Sequence, residues 1–198
     1  MIIPSRDICF SLMKQMAMPG HIVDHSLQVC RVAAFLTEQL SLSGVPLDSR
    51  IVEAAALLHD ITKARSFTTG EQHDRTARLL LEEQGYVEVG RVAGQHVILE
   101  TYLFHGAPGE ADVVNYADKR VLHDKVVSLE ERMDYIRERY GTAEDRRAWI
   151  DRLWRKTLLL EDALFERLDF HPGDLAEFIE AARLDDDRRS ARRNGLHS

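Results

Sequence analysis

Histidine and aspartate residues recur along this chain where the flanking sequence predicts buried helices. The clearest case is the pair His59-Asp60, which ends the largely apolar run 51–58 (IVEAAALL). An imidazole and a carboxylate at the end of a buried helix are costly to desolvate unless a partner satisfies both groups. A metal ion can do this, because imidazole nitrogen and carboxylate oxygen are both metal ligands. The pair therefore indicates metal chemistry if further ligands exist elsewhere in the chain.

Four more residues of these types fall on the apolar face of a predicted helix, where apolar neighbours recur three or four positions apart. They are His25, His73, His96 and Asp118. A single histidine on an apolar face is more often a hydrogen-bonded core residue than a ligand. Six such side chains converging on one interior would need an extensive polar network if no metal were bound. Metal binding is the simpler interpretation of the whole set.

A second His-Asp pair, His123-Asp124, shows that the dipeptide alone carries little information. Its flanking residues are charged, so we expect it on the solvated surface of a helix. Lys119 and Arg120 flank Asp118 and are also expected to be solvated charges, with Lys119 kept as a candidate contact to metal or substrate.

The ordered series resembles the H…HD…D signature of the HD-domain superfamily of metal-dependent phosphohydrolases. The signature residues are His25, His59, Asp60 and Asp118, within roughly residues 19–125. Lys63 stands at the HDxxK position of the same pattern. The resemblance implies that the four signature residues hold one metal ion.

Two further histidines, His73 and His96, match those of the dinuclear subgroups of this superfamily. The resemblance implies that they hold a second ion, with Asp60 bridging the two. Mixed nitrogen and oxygen ligands favour iron, manganese, cobalt, nickel or zinc over calcium.

The implied activity is hydrolysis of a phosphate ester or anhydride of a small molecule, most simply a nucleotide, by metal-activated hydroxide. Asp60 and Lys63 would be the catalytic residues. Lys63 follows His59 by one helical turn, so it can pair with a substrate phosphate or simply complement the helix C-terminus. Two alternatives use the same ligands: a di-iron oxygenase, and a module that binds metal or nucleotide without turnover.

The loop after His96 departs from some members of the superfamily. Val97 stands where these members have a second histidine, and residues 106–108 read GAP where a GYP signature would identify a cyclic-di-GMP phosphodiesterase. His105 in this loop is a candidate additional contact to metal or substrate, because loops often carry functional residues.

Composition is typical of a soluble globular protein. The 198 residues are 44% hydrophobic and 30% charged, and the net charge of -7 argues against general nucleic-acid binding. Cys9 and Cys30 lack metal-site spacing, so we expect free thiols. With no apolar stretch of membrane-spanning length and no recognisable signal peptide, the expected location is the cytoplasm, without membrane association.

Periodicity and punctuation predict an all-α fold, an HD-type helical bundle with additional C-terminal helices. One domain would cover residues 1–184, with its core at about 19–125 and a helical extension at about 128–184. A charged tail, 185–198, is predicted to be disordered. The predicted helices cover 5–16, 21–42, 48–60, 73–84, 87–99, 111–140 with a bend near Ser128, 143–168 and 172–184, and 66–72 is predicted as a polar loop.

The C-terminal helices carry a wide apolar stripe, which we interpret as core or as the seam of a homodimer. Its members are Trp149, Ile150, Leu153, Trp154, Leu158, Leu164, Phe165 and Leu168.

Overall fold

A computed structural model describes residues 1–102 and 106–182 and confirms the all-α fold class. Both His105 and the tail 185–198 lie outside the described residues. The helices are α1 (Arg6–Gln15), α2 (Gly20–Leu42), α3 (Ser49–Leu58), α4 (Lys63–Thr69), α5 (His73–Glu83), α6 (Val87–Ala93), α7 (Glu110–Lys119), α8 (Leu129–Tyr140) and α9 (Glu144–Phe165). A 3₁₀ turn, Pro172–Asp174, is followed by helical residues 175–182, here α10, at the end of the described part of the chain.

Helix α3 is the centre of the bundle and packs against α1, α2, α6 and α7. Its residues Ala54, Ala55 and Ala56 are buried, and such small side chains let neighbouring helices approach closely. Asp48 caps its first turn, accepting a hydrogen bond from the Arg50 backbone N–H at 3.0 Å. Because α3 is buried on nearly every side, the two residues that follow it are delivered into the interior of the protein.

The predicted loop at 66–72 is wrong, because most of it belongs to α4. The polar side chains there donate hydrogen bonds back to carbonyl groups one turn earlier, as Ser66 Oγ does to Lys63 O at 2.7 Å. Their polarity therefore does not interrupt the helix. The helix ends at Gly70, whose φ of 71° is the left-handed conformation that glycine adopts without strain.

The predicted helix over 111–140 is also wrong between residues 120 and 128. A two-stranded antiparallel hairpin stands there, with β1 (Val121–Leu122) paired to β2 (Lys125–Val126). His123 and Asp124 form its turn, and His123 has a positive φ of 57°. No glycine or proline marks this turn, so the sequence carries no signal for it. The pair is exposed as expected, but it lies on a turn and not on a helix.

Arg120 is buried, in contrast to the expected solvated charge. Its guanidinium donates to the carbonyl oxygens of Val127 at 2.7 Å and Pro172 at 2.8 Å, and to the Tyr116 hydroxyl. Tyr116 in turn donates to Glu161 of α9. This network ties α7 to the C-terminal helices, so it connects the Asp118 helix to the part of the chain beyond residue 125.

Among the described residues, no helix is both long enough and apolar enough to cross a membrane.

Helices α5 and α6 approach each other closely at Gly90. A Cβ atom at this position would lie 2.9 Å from the Arg78 carbonyl oxygen and 3.2 Å from Leu81 Cβ. We expect Gly90→Ala to destabilise the protein by about 1 kcal/mol in urea denaturation, since overpacking costs about 1–3 kcal/mol and alanine regains at most about 1 kcal/mol of helix propensity. Gly20→Ala, at the start of α2 with no atom within 4 Å, is the matched control. Equal stability of the two variants would contradict the close approach.

Cys9 and Cys30 are free and buried, which confirms the expected thiols. Burial raises the pKa of both thiols to about 11, so the reactive thiolate is scarce at neutral pH. We expect neither thiol to react with a water-soluble thiol reagent at pH 8 in the folded protein, and both to react in denaturant. Labelling followed by mass spectrometry measures this. Rapid labelling of the native protein would show that the packing of α1 and α2 against α3 opens in solution.

Candidate metal centre

The six predicted ligands meet at one place in the interior, although they come from five separate parts of the chain. Two of the ligands lie within a helix, one is the first residue of a helix, and three come just after a helix ends. They are His25 in α2, His59 and Asp60 after α3, His73 at the start of α5, His96 after α6 and Asp118 in α7. All but His73 are buried, and His73 is partly buried.

One triad of possible ligands consists of His25, His59 and Asp60, whose donor atoms all lie within 4.8 Å of one another. His59 Nε2 is 3.4 Å from Asp60 Oδ2, and His25 Nε2 is 3.9 Å from the same oxygen. Asp118 joins this side of the cluster, since its Oδ1 lies 3.1 Å from His25 Nε2 and 3.8 Å from His59 Nε2. These four residues are those of the H…HD…D signature.

The second triad consists of Asp60, His73 and His96. The Nε2 atoms of both histidines lie 3.4 Å from Asp60 Oδ1. The two Nε2 atoms are 3.0 Å apart. Asp60 thus belongs to both triads, with Oδ2 toward one pair of histidines and Oδ1 toward the other.

Backbone carbonyls orient three of the four imidazoles. His59 Nδ1 donates to Ala56 O and His96 Nδ1 donates to Ala93 O, each at 2.8 Å. His25 Nδ1 donates to the His123 carbonyl at 2.9 Å. A proton on Nδ1 leaves the Nε2 lone pair facing the centre, which is the arrangement typical of metal-binding histidines.

Two buried polar atoms of the cluster, His59 Nε2 and Asp60 Oδ1, have no hydrogen-bond partner among the described residues. Leaving such atoms unsatisfied is costly, and one faces each triad. A cation beside each would satisfy both atoms. The donor set of imidazole nitrogens and carboxylate oxygens suits a divalent transition metal. The residues therefore fit the metal that the sequence predicts.

The electrostatic environment keeps both carboxylates ionised. Burial opposes ionisation of Asp60, yet His59 and Lys63 hold its pKa well below its usual range. For Asp118, burial is likewise outweighed by the Lys119 ammonium and by the contact with His25, and its pKa is also far below the usual range. Two buried negative charges are therefore available to bind a cation.

Burial and the neighbouring imidazole lower the pKa of His73 to about 4. Burial also lowers the pKa of His96. Both imidazoles are therefore neutral near pH 7, which is the state that coordinates metal. Burial disfavours the charged form of His59 too, but Asp60 outweighs it and raises the pKa of His59. Asp60 and Asp118 thus create a negative potential at His59 that favours positive charge there.

Each of the two lysines beside the cluster pairs with a different carboxylate. Lys63 Nζ lies 2.6 Å from Asp60 Oδ2, and its side chain is 28% exposed toward the pocket described below. Lys119 Nζ lies 2.9 Å from Asp118 Oδ2 and also donates to the His96 carbonyl. Lys119 is buried, so the expectation of a solvated charge is wrong. It holds Asp118 and the turn that carries His96.

The turn that carries His96 lies beyond α6, which ends at Ala93 and not at the predicted residue 99. Asn115 of α7 donates to the carbonyl oxygens of Gln95 at 2.7 Å and His96 at 3.0 Å. Its contacts show that it fixes the backbone of this turn.

A pocket of about 710 Å³ opens over the cluster. Its outer walls come from α4, α8 and α9, including Phe67, Arg132 and Trp149. The sequence analysis did not predict Arg132. It assigned Trp149 and Leu153 to core or a dimer seam; Leu153 is buried as expected, and both residues also line this pocket. The spacing of Arg132, Ile136 and Arg139 marks one face of α8, but nothing in the sequence indicates what that face covers.

A comparison with known families matches residues 22–150, well over half of the chain, to the HD domain. The chain belongs to the HD domain family. The matched region contains all six cluster residues and continues through α8 into α9. No curated protein and no solved structure gave a significant match.

HD domains bind divalent metals, and the family consists largely of metal-dependent hydrolases. The buried histidine and aspartate cluster of this HD domain could hold a metal ion. The resemblance that the sequence showed is therefore confirmed at the level of the family.

The two His-Asp pairs allow a matched test of metal binding. We expect Asp60→Ala to lose bound metal, because it removes the carboxylate common to both triads, and Asp124→Ala to keep it. Elemental analysis after chelation, reloading with manganese or zinc and desalting measures the content. Equal metal content in the two variants would contradict the assignment of the cluster.

Proposed function

We propose that this HD domain hydrolyses a phosphate ester or anhydride of a small molecule, with a nucleotide as the favoured substrate. The reaction would use two divalent transition-metal ions. His25, His59, Asp60 and Asp118 would hold one of them, and His73 and His96, together with Asp60, would hold the other.

The position of Asp60 carries this proposal. Its Oδ2 faces the histidines of one triad and its Oδ1 faces those of the other, so one carboxylate can bridge two ions. Two adjacent ions are well suited to phosphate esters, since they clamp both the attacking and the leaving oxygen of a displacement. Six ligands arranged in this way exceed what a single structural metal requires.

When bound, divalent ions supply positive charge for the phosphoryl oxygens and make a water molecule acidic enough to attack at neutral pH. The protein contributes position and charge around that chemistry. Asp60 fixes the two halves of the cluster relative to each other. Lys63 holds Asp60 Oδ2 and presents a partly exposed ammonium to the pocket, where a phosphoryl oxygen can accept its hydrogen bond. Lys119 acts as a positioning residue for Asp118.

The charge of the pocket supports an anionic substrate. Its described lining contains five cationic side chains and only two carboxylates, Asp60 and Asp118, which are the proposed metal ligands. The whole chain carries a net charge of -7. A cationic pocket on an acidic protein attracts small anions and not extended nucleic acid. An oxygenase or a metal sensor has no general need for this concentration of cations.

Loss of one triad should separate hydrolysis from the remaining metal. We expect His73→Ala to lower the metal content by one ion per chain and to abolish hydrolysis, because a single ion cannot clamp both oxygens. Lys63→Ala should keep the metal and lower kcat about 10- to 100-fold, as expected for loss of one charged hydrogen-bond donor. Phosphate release from a panel of nucleotides and simple phosphate esters measures both effects.

Asp124→Ala again serves as the control and should retain full activity. Undiminished hydrolysis by His73→Ala would refute the two-ion arrangement. Oxygen uptake by aerobically purified protein without phosphate release from any ester would instead favour the di-iron oxygenase.

A further inference from the structure

Arg132 of α8 is mostly buried, yet its N–H donors have few acceptors among the described residues. Its side chain is 13% exposed, and one terminal nitrogen lies 4.0 Å from Asp118 Oδ1. Its Nε is buried without a hydrogen-bond partner among the described residues. A guanidinium has five N–H donors, and burying them unmatched is unfavourable. The side chain lines the pocket beside a proposed metal ligand, so acceptor oxygens of a bound molecule would complete it.

Two further arginines, Arg139 and Arg146, line the same pocket. Both are exposed, and neither makes an ion pair with a described residue. Each lies over an aromatic ring, Arg139 at 6.0 Å from the Tyr140 ring centroid and Arg146 at 5.9 Å from that of Trp149. Such contacts orient a guanidinium while leaving its N–H donors available.

Arg139 and Arg146 have no ion pair with a described residue, and Arg132 has only the 4.0 Å contact with Asp118. Lys63 and Lys119 are already paired with Asp60 and Asp118, at 2.6 Å and 2.9 Å. The arginines form no comparably short ion pair with any described carboxylate. A ligand with a single phosphate could not satisfy all of them, because they are not at one place. The lining thus favours a substrate with more than one anionic group.

The arrangement along α8 sets a distance between these groups. Arg132 and Arg139 are seven residues apart on one helix, which corresponds to about 10 Å along its axis. Arg132 is the one beside Asp118, and Arg139 lies farther from the cluster, toward the end of α8. Trp149 of α9 and the exposed ring of Phe67 provide apolar surface in the same pocket.

We propose that α8 and the start of α9 form the substrate-recognition wall of this pocket. Arg132 binds the phosphoryl group that is hydrolysed, Arg139 and Arg146 bind a second phosphate of the same molecule, and Trp149 contacts an aromatic base. The substrate class is a nucleotide with at least two phosphates. The identity of the reacting group rests on the proposed function, whereas the affinity of the wall for a second phosphate does not.

The substrate arm of the test compares adenosine 3′,5′-bisphosphate and ATP with AMP, and AMP with ribose 5-phosphate, using the metal-loaded full chain. We expect kcat/KM to be about tenfold or more higher for the nucleotides with additional phosphates than for AMP, because each charged hydrogen bond contributes roughly that factor. Ribose 5-phosphate should be the poorest substrate, since it lacks the aromatic base that Trp149 would contact. Equal kcat/KM for AMP and both of the others would overturn the proposal.

The variant arm uses Arg139→Gln and Arg146→Gln, because both side chains are exposed and their replacement leaves the packed core intact. Each should lower kcat/KM for the multiply phosphorylated nucleotides about tenfold and lower kcat/KM for AMP by a clearly smaller factor. Arg132→Gln should lower kcat about 100-fold on every ester while keeping its metal content. Arg137→Gln is the matched control on α8, because Arg137 is absent from the pocket lining and faces Asp151.

An equal loss on all substrates in Arg139→Gln and Arg146→Gln would overturn the second-phosphate site. If the wild-type protein hydrolyses no ester, the proposed function fails. Calorimetric measurement of ATP and AMP binding then tests whether the wall binds a second phosphate. A tenfold loss of ATP affinity in both variants, with a clearly smaller loss of AMP affinity, would support the proposed wall. Unchanged ATP affinity would overturn it.

Discussion

The shared carboxylate of Asp60 is the constraint on which the rest of the structure depends. It is fully buried and remains ionised, so the interior must supply positive charge or hydrogen bonds to both of its oxygens. Lys63 satisfies Oδ2, while Oδ1 faces two histidines without a hydrogen bond to either. Helices α2, α3, α5, α6 and α7 must all meet around this one group. The close packing of α3 and the tight α5–α6 contact are the means by which they do so.

Much of this centre could be predicted because the burial of each ligand follows from the apolar pattern of the neighbouring residues in its own helix. His25 and Asp118 share a face with apolar residues, and that periodicity alone places them in the interior. His59 and Asp60 follow from the apolar run of α3 in the same way. What periodicity could not provide was the end of each helix. His96 lies on a turn beyond α6, where Gly94 follows the last helical residue but keeps a helical φ of -66°. The residues after α7 form a hairpin whose turn contains neither glycine nor proline.

The pocket wall could not be predicted for a different reason. The pattern on α8 and α9 shows which residues share a face, but the partner of that face is decided by contacts far apart in the sequence. The buried Arg120 illustrates this, because it joins α7 to Pro172 across 52 positions and was expected in solvent. A charged residue beside a ligand carries the same sequence signal whether it is solvated or holds two parts of the fold together.

Because backbone carbonyls orient the histidines, substitutions around the metal centre can be tolerated as long as the backbone keeps its shape. Three imidazoles take their orientation from main-chain oxygens, which every amino acid provides. The side chain at position 123 can therefore vary without disturbing His25, provided that the turn keeps its shape. A centre aligned by the backbone tolerates divergence around it, so the arginines and aromatic rings of the wall are free to evolve toward new substrates while the ligands stay aligned.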